Sequence, residues 1–127
     1  MARILIADDD ANFRSVLGGM LENAGHEPGF AIDGEQAVDL YNRSAFDLAI
    51  IDLVLPAKNG VQVIREILKL DPAAKLIAIS GKEPEQLELA VAAGALRTLA
   101  KPFDMEELME AIAGLLRRAT GWQGVAD

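Results

Sequence analysis

The sequence has no cysteine and a single histidine, His26. Those absences exclude disulfides, thiolate metal sites and a cysteine nucleophile. They also exclude His-rich metal centres and most Ser-His-Asp arrangements. Positive charge is short: 12 Lys and Arg face 20 Asp and Glu, leaving a formal charge of −8. A chain so acidic does not hold nucleic acid through a broad basic surface. Apolar runs stop after a handful of residues, too few to span a bilayer. Ile4-Leu5-Ile6-Ala7 gives way at once to Asp8, so the N-terminal stretch does not read as a secretory signal. Repeats, linkers and low-complexity segments are also missing. What is present is 127 residues, 51% apolar and 25% charged, the composition of one ordinary globular domain with a real core. The expectation is a soluble, cytoplasmic protein.

Short apolar runs alternate with helical patterns. Ile4–Ala7, Leu48–Ile51 and Leu76–Ile79 are apolar throughout, as strands buried on both faces should be. Glu27–Ala31 is a weaker strand candidate and Leu96–Ala100 a fifth. A helix is expected over residues 11–24, with Phe13, Val16, Leu17, Met20, Leu21 and Ala24 on one face and Gly25 as its stop. Asp33 with Gln36 reads as a capping box for a helix ending near Tyr41. Asn59 with Gln62 caps a third helix, with Val61, Ile64, Ile67 and Leu68 inward and Asp71-Pro72 closing it. A fourth spans residues 84–93 before Gly94, and Asp104 with Glu107 opens a fifth, with Leu108, Ile112 and Leu115 inward. Strict alternation of five strands and five helices predicts an α/β fold, a parallel sheet covered on both faces. The domain is expected over residues 1–120, with 121–127 as a patternless tail.

Open α/β sheets bind ligands beyond the carboxyl ends of their strands. The first strand ends in Asp8-Asp9-Asp10, the third in Asp52, the fourth in Ser80 and the fifth in Lys101-Pro102. Asp8, Asp9 and Asp52 bring three negative charges against one positive charge on Lys101. Clustered carboxylates raise one another's pKa unless a cation joins them. A hard divalent ion with oxygen ligands fits, and Mg²⁺ (or Mn²⁺) needs few protein ligands. Metal, amine and hydroxyl converging on a carboxylate suit a phosphoryl group, which the carboxylate attacks in line. Asp10 is expected to cap the first helix or face solvent. Glu83, Glu85 and Glu88 read as a solvated face; His26 and Trp122 are given no role.

The motifs Ile6-Ala7-Asp8-Asp9, Asp52-Leu53-Val54-Leu55-Pro56-Ala57-Lys58-Asn59-Gly60, Ile79-Ser80-Gly81 and Gly94-Ala95 leading to Lys101-Pro102-Phe103 occur in this order. With them the chain resembles the receiver domains of two-component response regulators, chemotaxis-regulator-like, over roughly residues 3–118. The resemblance implies a flavodoxin-like, doubly wound sheet in the order 2-1-3-4-5. It implies that Asp52 is the phosphoacceptor, taking its phosphoryl group from a phosphohistidine of a sensor kinase or phosphotransfer protein. Asp9, Asp52 and the Val54 main-chain carbonyl would hold Mg²⁺ directly, and Asp8 through a water. Ser80 and Lys101 would bind phosphoryl oxygens, and the Lys101–Pro102 bond would be cis. Ser80 and the residue at position 98 would form the switch. Here that residue is Thr98, where the family often has Tyr or Phe, so a rotating ring is not expected. Val54 and Lys82 occupy positions that tune phosphoryl lifetime, and their chemistry points to slow self-hydrolysis.

Such a protein catalyses its own phosphorylation and dephosphorylation rather than acting as a conventional enzyme. It would signal to a downstream protein through the fourth helix, fifth strand and fifth helix, with a phosphorylation-dependent homodimer as a further expectation. No direct nucleic-acid or membrane contact is expected. The absence of an output-domain pattern favours a stand-alone receiver. The alternatives are a degenerate receiver that only binds protein and a small haloacid-dehalogenase-type phosphatase using Asp8 and Asp10. A flavodoxin-like FMN carrier is disfavoured because three acids after the first strand would repel the phosphate.

Overall fold

The three unbroken apolar runs become the middle of one sheet. The computed structural model describes residues 1–81 and 84–119. In it β1 (Arg3–Ala7), β3 (Leu48–Asp52) and β4 (Leu76–Ser80) are inner strands, and β2 (Glu27–Ala31) and β5 (Arg97–Ala100) are the edges. All pairings are parallel, in the order β2-β1-β3-β4-β5. β3 and β4 are buried along their whole length, whereas Glu27, Phe30, Arg97 and Ala100 on the edges are exposed. The weak apolar patterning of β2 and β5 is thus the signature of edge position. The fold is the flavodoxin-like one that the resemblance implies.

Side chains alternate between two cores. Leu5, Ala7, Ala49, Ile51, Leu76 and Ala78 face α2 (Gly34–Arg43), α3 (Gly60–Leu70) and α4 (Pro84–Ala93). Ile4, Ile6, Leu48, Ile50, Ile77 and Ile79 face α1 (Ala11–Asn23) and α5 (Met105–Ala119). Both faces are apolar because both are covered. Among the described residues, no helix is long and apolar enough to cross a membrane.

The caps expected for α2 and α3 form. Asp33 Oδ1 accepts from Gln36 N–H at 2.7 Å, and Gln36 Oε1 accepts in return from Ile32 N–H at 2.7 Å, one residue before the cap. Asn59 Oδ1 accepts from Gln62 N–H at 3.0 Å, and Asp71 closes α3. Gly25 and Gly94 follow α1 and α4 with φ of 89° and 121°. Several expectations need correction. Val16 and Ala24 are exposed, because α1 meets the sheet on a narrow stripe of Leu17, Gly18 and Leu21. In α3, Val63 is fully buried and Leu68 only partly so, because α3 lies between α2 and α4 and needs a second apolar face. α2 runs past Tyr41 to Arg43, and β5 begins at Arg97 with Leu96 exposed.

One glycine sets the approach of α3 to the end of β3. A Cβ on Gly60 would lie 2.5 Å from both the Asp52 carbonyl oxygen and the Leu53 Cα. Gly60 N–H also donates to the Leu53 carbonyl at 3.1 Å. Between them, Ala57 has φ of 69°, with Lys58 N–H donating to the Pro56 carbonyl at 2.7 Å in a three-residue turn. Gly34 N–H reaches the same carbonyl at 3.1 Å and ties this loop to α2. Gly60→Ala is therefore expected to destabilise the protein by about 2–3 kcal/mol, since backbone and not a pliable side chain must move. Gly19 sits in an exposed helix interior, and a methyl group there would meet nothing within 4 Å, so Gly19→Ala is expected to stabilise by about 0.5–1 kcal/mol. Urea unfolding of the two variants should show opposite signs.

Candidate functional site

Beyond Ala7 the first strand turns sharply. Asp8 N–H still reaches across to the Ala31 carbonyl at 3.1 Å, continuing the ladder with β2. Asp8 Oδ1 accepts from Asp10 N–H at 2.9 Å, folding the chain back on itself. Asp10 Oδ1 accepts from Asn12 N–H at 2.9 Å and Phe13 N–H at 3.3 Å, so Asp10 is the N-cap of α1. The consequence is that Asp8 is 1% exposed and Asp9 stands outside it, exposed.

Asp52 is the last residue of β3 and is 6% exposed. Its Oδ1 accepts from Val54 N–H at 2.9 Å, and its Oδ2 lies 3.3 Å from Lys101 Nζ. The same ammonium lies 4.0 Å from Asp8 Oδ2. Lys101 is delivered from the end of β5, where its N–H donates to the Ser80 carbonyl at 2.8 Å and its bond to Pro102 is cis. Asp52 is in register with Ile79, so Ser80 lies one residue farther along the neighbouring strand, 1% exposed. Thr98 is opposite Ala78 and Ala100 opposite Ser80, which puts Thr98 and Ser80 on the same sheet face. Val54 is 65% exposed beside the acids. Lys82, Glu83, Trp122 and the tail at 121–127 lie outside the described residues.

Carboxylate oxygens of Asp8, Asp9 and Asp52 all lie within 4.8 Å of one another. Burial pushes the Asp8 carboxyl up to about 6; the Asp10 N–H bond and Lys101 oppose the rise, and the negative charge of Asp52 adds to it. Asp8 Oδ2 is buried without a hydrogen-bond partner, the one such side-chain atom among the described residues. A buried carboxylate oxygen with no hydrogen-bond donor, crowded by other carboxylates and reached by one ammonium only at 4.0 Å, is costly unless a further cation is part of the site. The oxygen-only donor set, its charge and this oxygen fit a hard divalent ion better than a soft transition metal.

Two contributors do not stand out in the sequence. Arg14 Nη1 donates to the Asp8 main-chain carbonyl at 2.7 Å. The Phe13 ring lies 5.7 Å from Lys101 Nζ and meets Phe103 edge-on at 6.4 Å. Both belong to a helix whose apolar pattern explains Phe13 without any role at the site. Arg14 has only its closeness in sequence to Asp9 to mark it.

The Asp8 proton fixes a pH dependence. Its pKa is about 6 in the fold against 3.8 for the free group, so the folded state binds the proton more tightly. Stability of the ion-free protein should therefore fall as pH rises from about 4 to 6 and stay low above, a loss on the order of 2–3 kcal/mol. Asp8→Asn, unfolded by urea in EDTA, should be the more stable protein at pH 7.5 and should lose this slope. Identical slopes for the two proteins would show that Asp8 does not carry the effect.

Comparison with known proteins agrees with this geometry. A family model described as the response regulator receiver domain matches residues 4–113. The chemotaxis protein CheY of Thermotoga maritima is 37% identical over 112 residues, covering 87% of this chain and 93% of CheY. The CheY-like response regulator receiver domain protein of Methanospirillum hungatei JF-1 superposes with a TM-score of 0.90 at 29% identity, over 94% of this chain and 97% of that one. The response regulator TrrA of Thermotoga maritima, solved in complex with Mg(2+)-BeF, superposes with a TM-score of 0.83 at 33% identity, over 91% and 99% of the two chains. Fold, acid cluster and family match coincide over the same stretch, and the chain belongs to the response regulator receiver domains of two-component signalling.

Proposed function

We propose that this receiver accepts a phosphoryl group on Asp52 from a phosphohistidine of a sensor kinase or phosphotransfer protein. The observation that carries the reading is the Lys101 ammonium at 3.3 Å from Asp52 Oδ2, beside the buried Asp8 Oδ2, which accepts no hydrogen bond. An Asp52 oxygen attacks phosphorus in line; the new O–P bond forms as the P–N bond to the donor imidazole breaks, and the imidazole takes up a proton from solvent. Lys101 then exchanges its carboxylate contact for a phosphoryl oxygen, and the Ser80 hydroxyl donates to another. Asp9, Asp52 and the Val54 carbonyl would hold Mg²⁺ or Mn²⁺, with Asp8 acting through water. When bound, such an ion supplies positive charge for the phosphoryl oxygens. The complex of TrrA with Mg(2+)-BeF supports this by likeness.

The protein so read is a self-modifying switch in the cytoplasm, not a conventional enzyme. Its phosphorylated form alters the face of α4, β5 and α5, which a downstream protein, or a second copy of the chain, reads. Thr98 and Ser80 would provide the moving parts, and Val54 and Lys82 would set the lifetime. The rival phosphatase reading needs Asp10 as a free acid two residues after Asp8. Asp10 instead spends its carboxylate on Asn12 and Phe13 N–H groups, which supports the receiver reading.

Intact mass spectrometry tests the chemistry. Incubation with acetyl phosphate and Mg²⁺ should add one labile phosphoryl group to the wild-type chain and none to Asp52→Asn, and EDTA should prevent it. A labelled Asp52→Asn, or a wild-type chain that never labels, sinks the proposal. Val54 cannot orient an attacking water by hydrogen bonding, so Val54→Asn should lose its phosphoryl group faster than wild type. An unchanged or slower decay in that variant would remove Val54 from the lifetime mechanism.

A further inference from the structure

The Asp8 carbonyl is an unusual place to find a guanidinium. Three carboxylates crowd within 4.8 Å close by, yet Arg14 forms no ion pair with any acid among the described residues. Its described bond goes from Nη1 to the main-chain oxygen of Asp8, at 2.7 Å. Lys101 is the cation that touches carboxylate oxygens in this cluster. The two positive side chains therefore divide the work: one meets the acids, the other meets the backbone that carries them.

That backbone is a single peptide unit with a large lever. The plane of the Asp8–Asp9 peptide fixes ψ of Asp8 and φ of Asp9 together. It thereby fixes the relative directions of the buried Asp8 carboxylate and the exposed Asp9 carboxylate. Mutual repulsion of the acids favours any rotation of this plane that moves Asp9 away. On the other side of the residue, Asp8 N–H is already pinned to Ala31 and Asp8 Oδ1 to Asp10 N–H. The carbonyl of a residue 1% exposed needs a donor, and no strand partner is in register there: on the β2 side, which the Asp8 N–H faces, the pairing ends at Ala7 with Ala31, and on the β3 side at Ala7 with Ile51. Arg14, half-buried and one turn into α1, is long enough to reach back and supply it.

We propose that Arg14 is a positioning residue for the acid cluster: by holding the Asp8 carbonyl it keeps the Asp8–Asp9 peptide in the one orientation that converges the carboxylates on a divalent cation. The inference rests on the receiver reading of the site. It assigns Arg14 no contact with phosphate or with the ion. A single carbonyl needs a single donor, so lysine should replace arginine here better than it does at forked sites.

The test is calorimetric titration of the full chain with MgCl₂, in 0.05 M and 0.5 M KCl, for the wild type, Arg14→Met and Arg14→Lys. Circular dichroism and urea unfolding establish that each is folded. Arg14→Met should bind Mg²⁺ about 10-fold more weakly, the scale seen when a group orienting a metal ligand is removed. The gap should persist in 0.5 M KCl, where a distant charge effect is screened. Arg14→Lys, which keeps a donor and is the variant expected to fold in any case, should recover most of the lost affinity. At saturating Mg²⁺, labelling of Arg14→Met by acetyl phosphate should return to within about twofold of wild type, as an effect on binding alone requires. Wild-type affinity in Arg14→Met, a gap that closes in high salt, or a folded Arg14→Lys as weak as Arg14→Met would each overturn the assignment while leaving the receiver reading intact. A wild-type chain that takes up no Mg²⁺ would overturn both.

Discussion

Asp8 and Asp52 are carried to the same point by adjacent strands, and the Lys101 ammonium sits between them at 4.0 and 3.3 Å. Two nearly buried carboxylates facing one another are unfavourable in any fold. They persist here because the strands beneath them leave no alternative. β1 and β3 are in register from Ile4 with Leu48 to Ala7 with Ile51, and both are buried by helices on two sides. A one-residue slip that separated the acids would swap the side chains of two differently packed cores, Ile4 and Ile6 for Leu5 and Ala7, and overpack one while leaving voids in the other, at a cost of about 1 kcal/mol or more for each misfitted side chain. The apolar sheet thus holds an electrostatically strained rim. One amine offsets part of that strain, and one carboxylate oxygen, Asp8 Oδ2, is left without a hydrogen bond.

The loop after Asp52 carries the same compromise in backbone form. Gly60 lets α3 begin almost in contact with the Asp52 carbonyl, and Gly34 N–H anchors the Pro56 carbonyl from the side of α2. Between these two fixed points the chain turns through Ala57 at φ of 69°, where glycine or asparagine would sit more easily. The loop that carries Val54 past the acids is therefore held at both ends by close backbone approach. Lys58, paired with Glu66 at 2.8 Å, adds a charged brace on the outer side, and that pairing holds the Glu66 carboxyl below its ordinary range.

What could be read from the chain was whatever depends on local spacing. The apolar runs at 4–7, 48–51 and 76–79 are strands because nothing else buries both faces, and the acids after them lie where strand ends must lie. Asp33, Asn59 and Asp10 are caps because a short polar side chain ahead of a helical period has few other uses. What escaped depends on neighbours remote in sequence. Val63 is buried because α3 has a neighbour on each side, α2 as well as α4, and Val16 is exposed because α1 meets the sheet on a narrow stripe. Arg14 and Phe13 join the site through a main-chain carbonyl and a ring face, neither of which a residue pattern displays.

Remote neighbours also govern how a phosphorylated site would be felt elsewhere. Thr98 lies on the sheet face of Ser80, half-buried, and has no ring to swing into space that Ser80 vacates. A direct route does exist in the backbone, because Lys101 N–H donates to the Ser80 carbonyl at 2.8 Å. In the proposed mechanism both residues shift toward the same phosphoryl group, one through its hydroxyl and one through its amine. The hydrogen bond between their main chains then makes the ends of β4 and β5 move as a unit. The residues next in line are those that start α4 on one side and α5 on the other. On this account the output face responds to displacement of two strand ends, and the small side chain at position 98 removes a packing obstacle to that displacement.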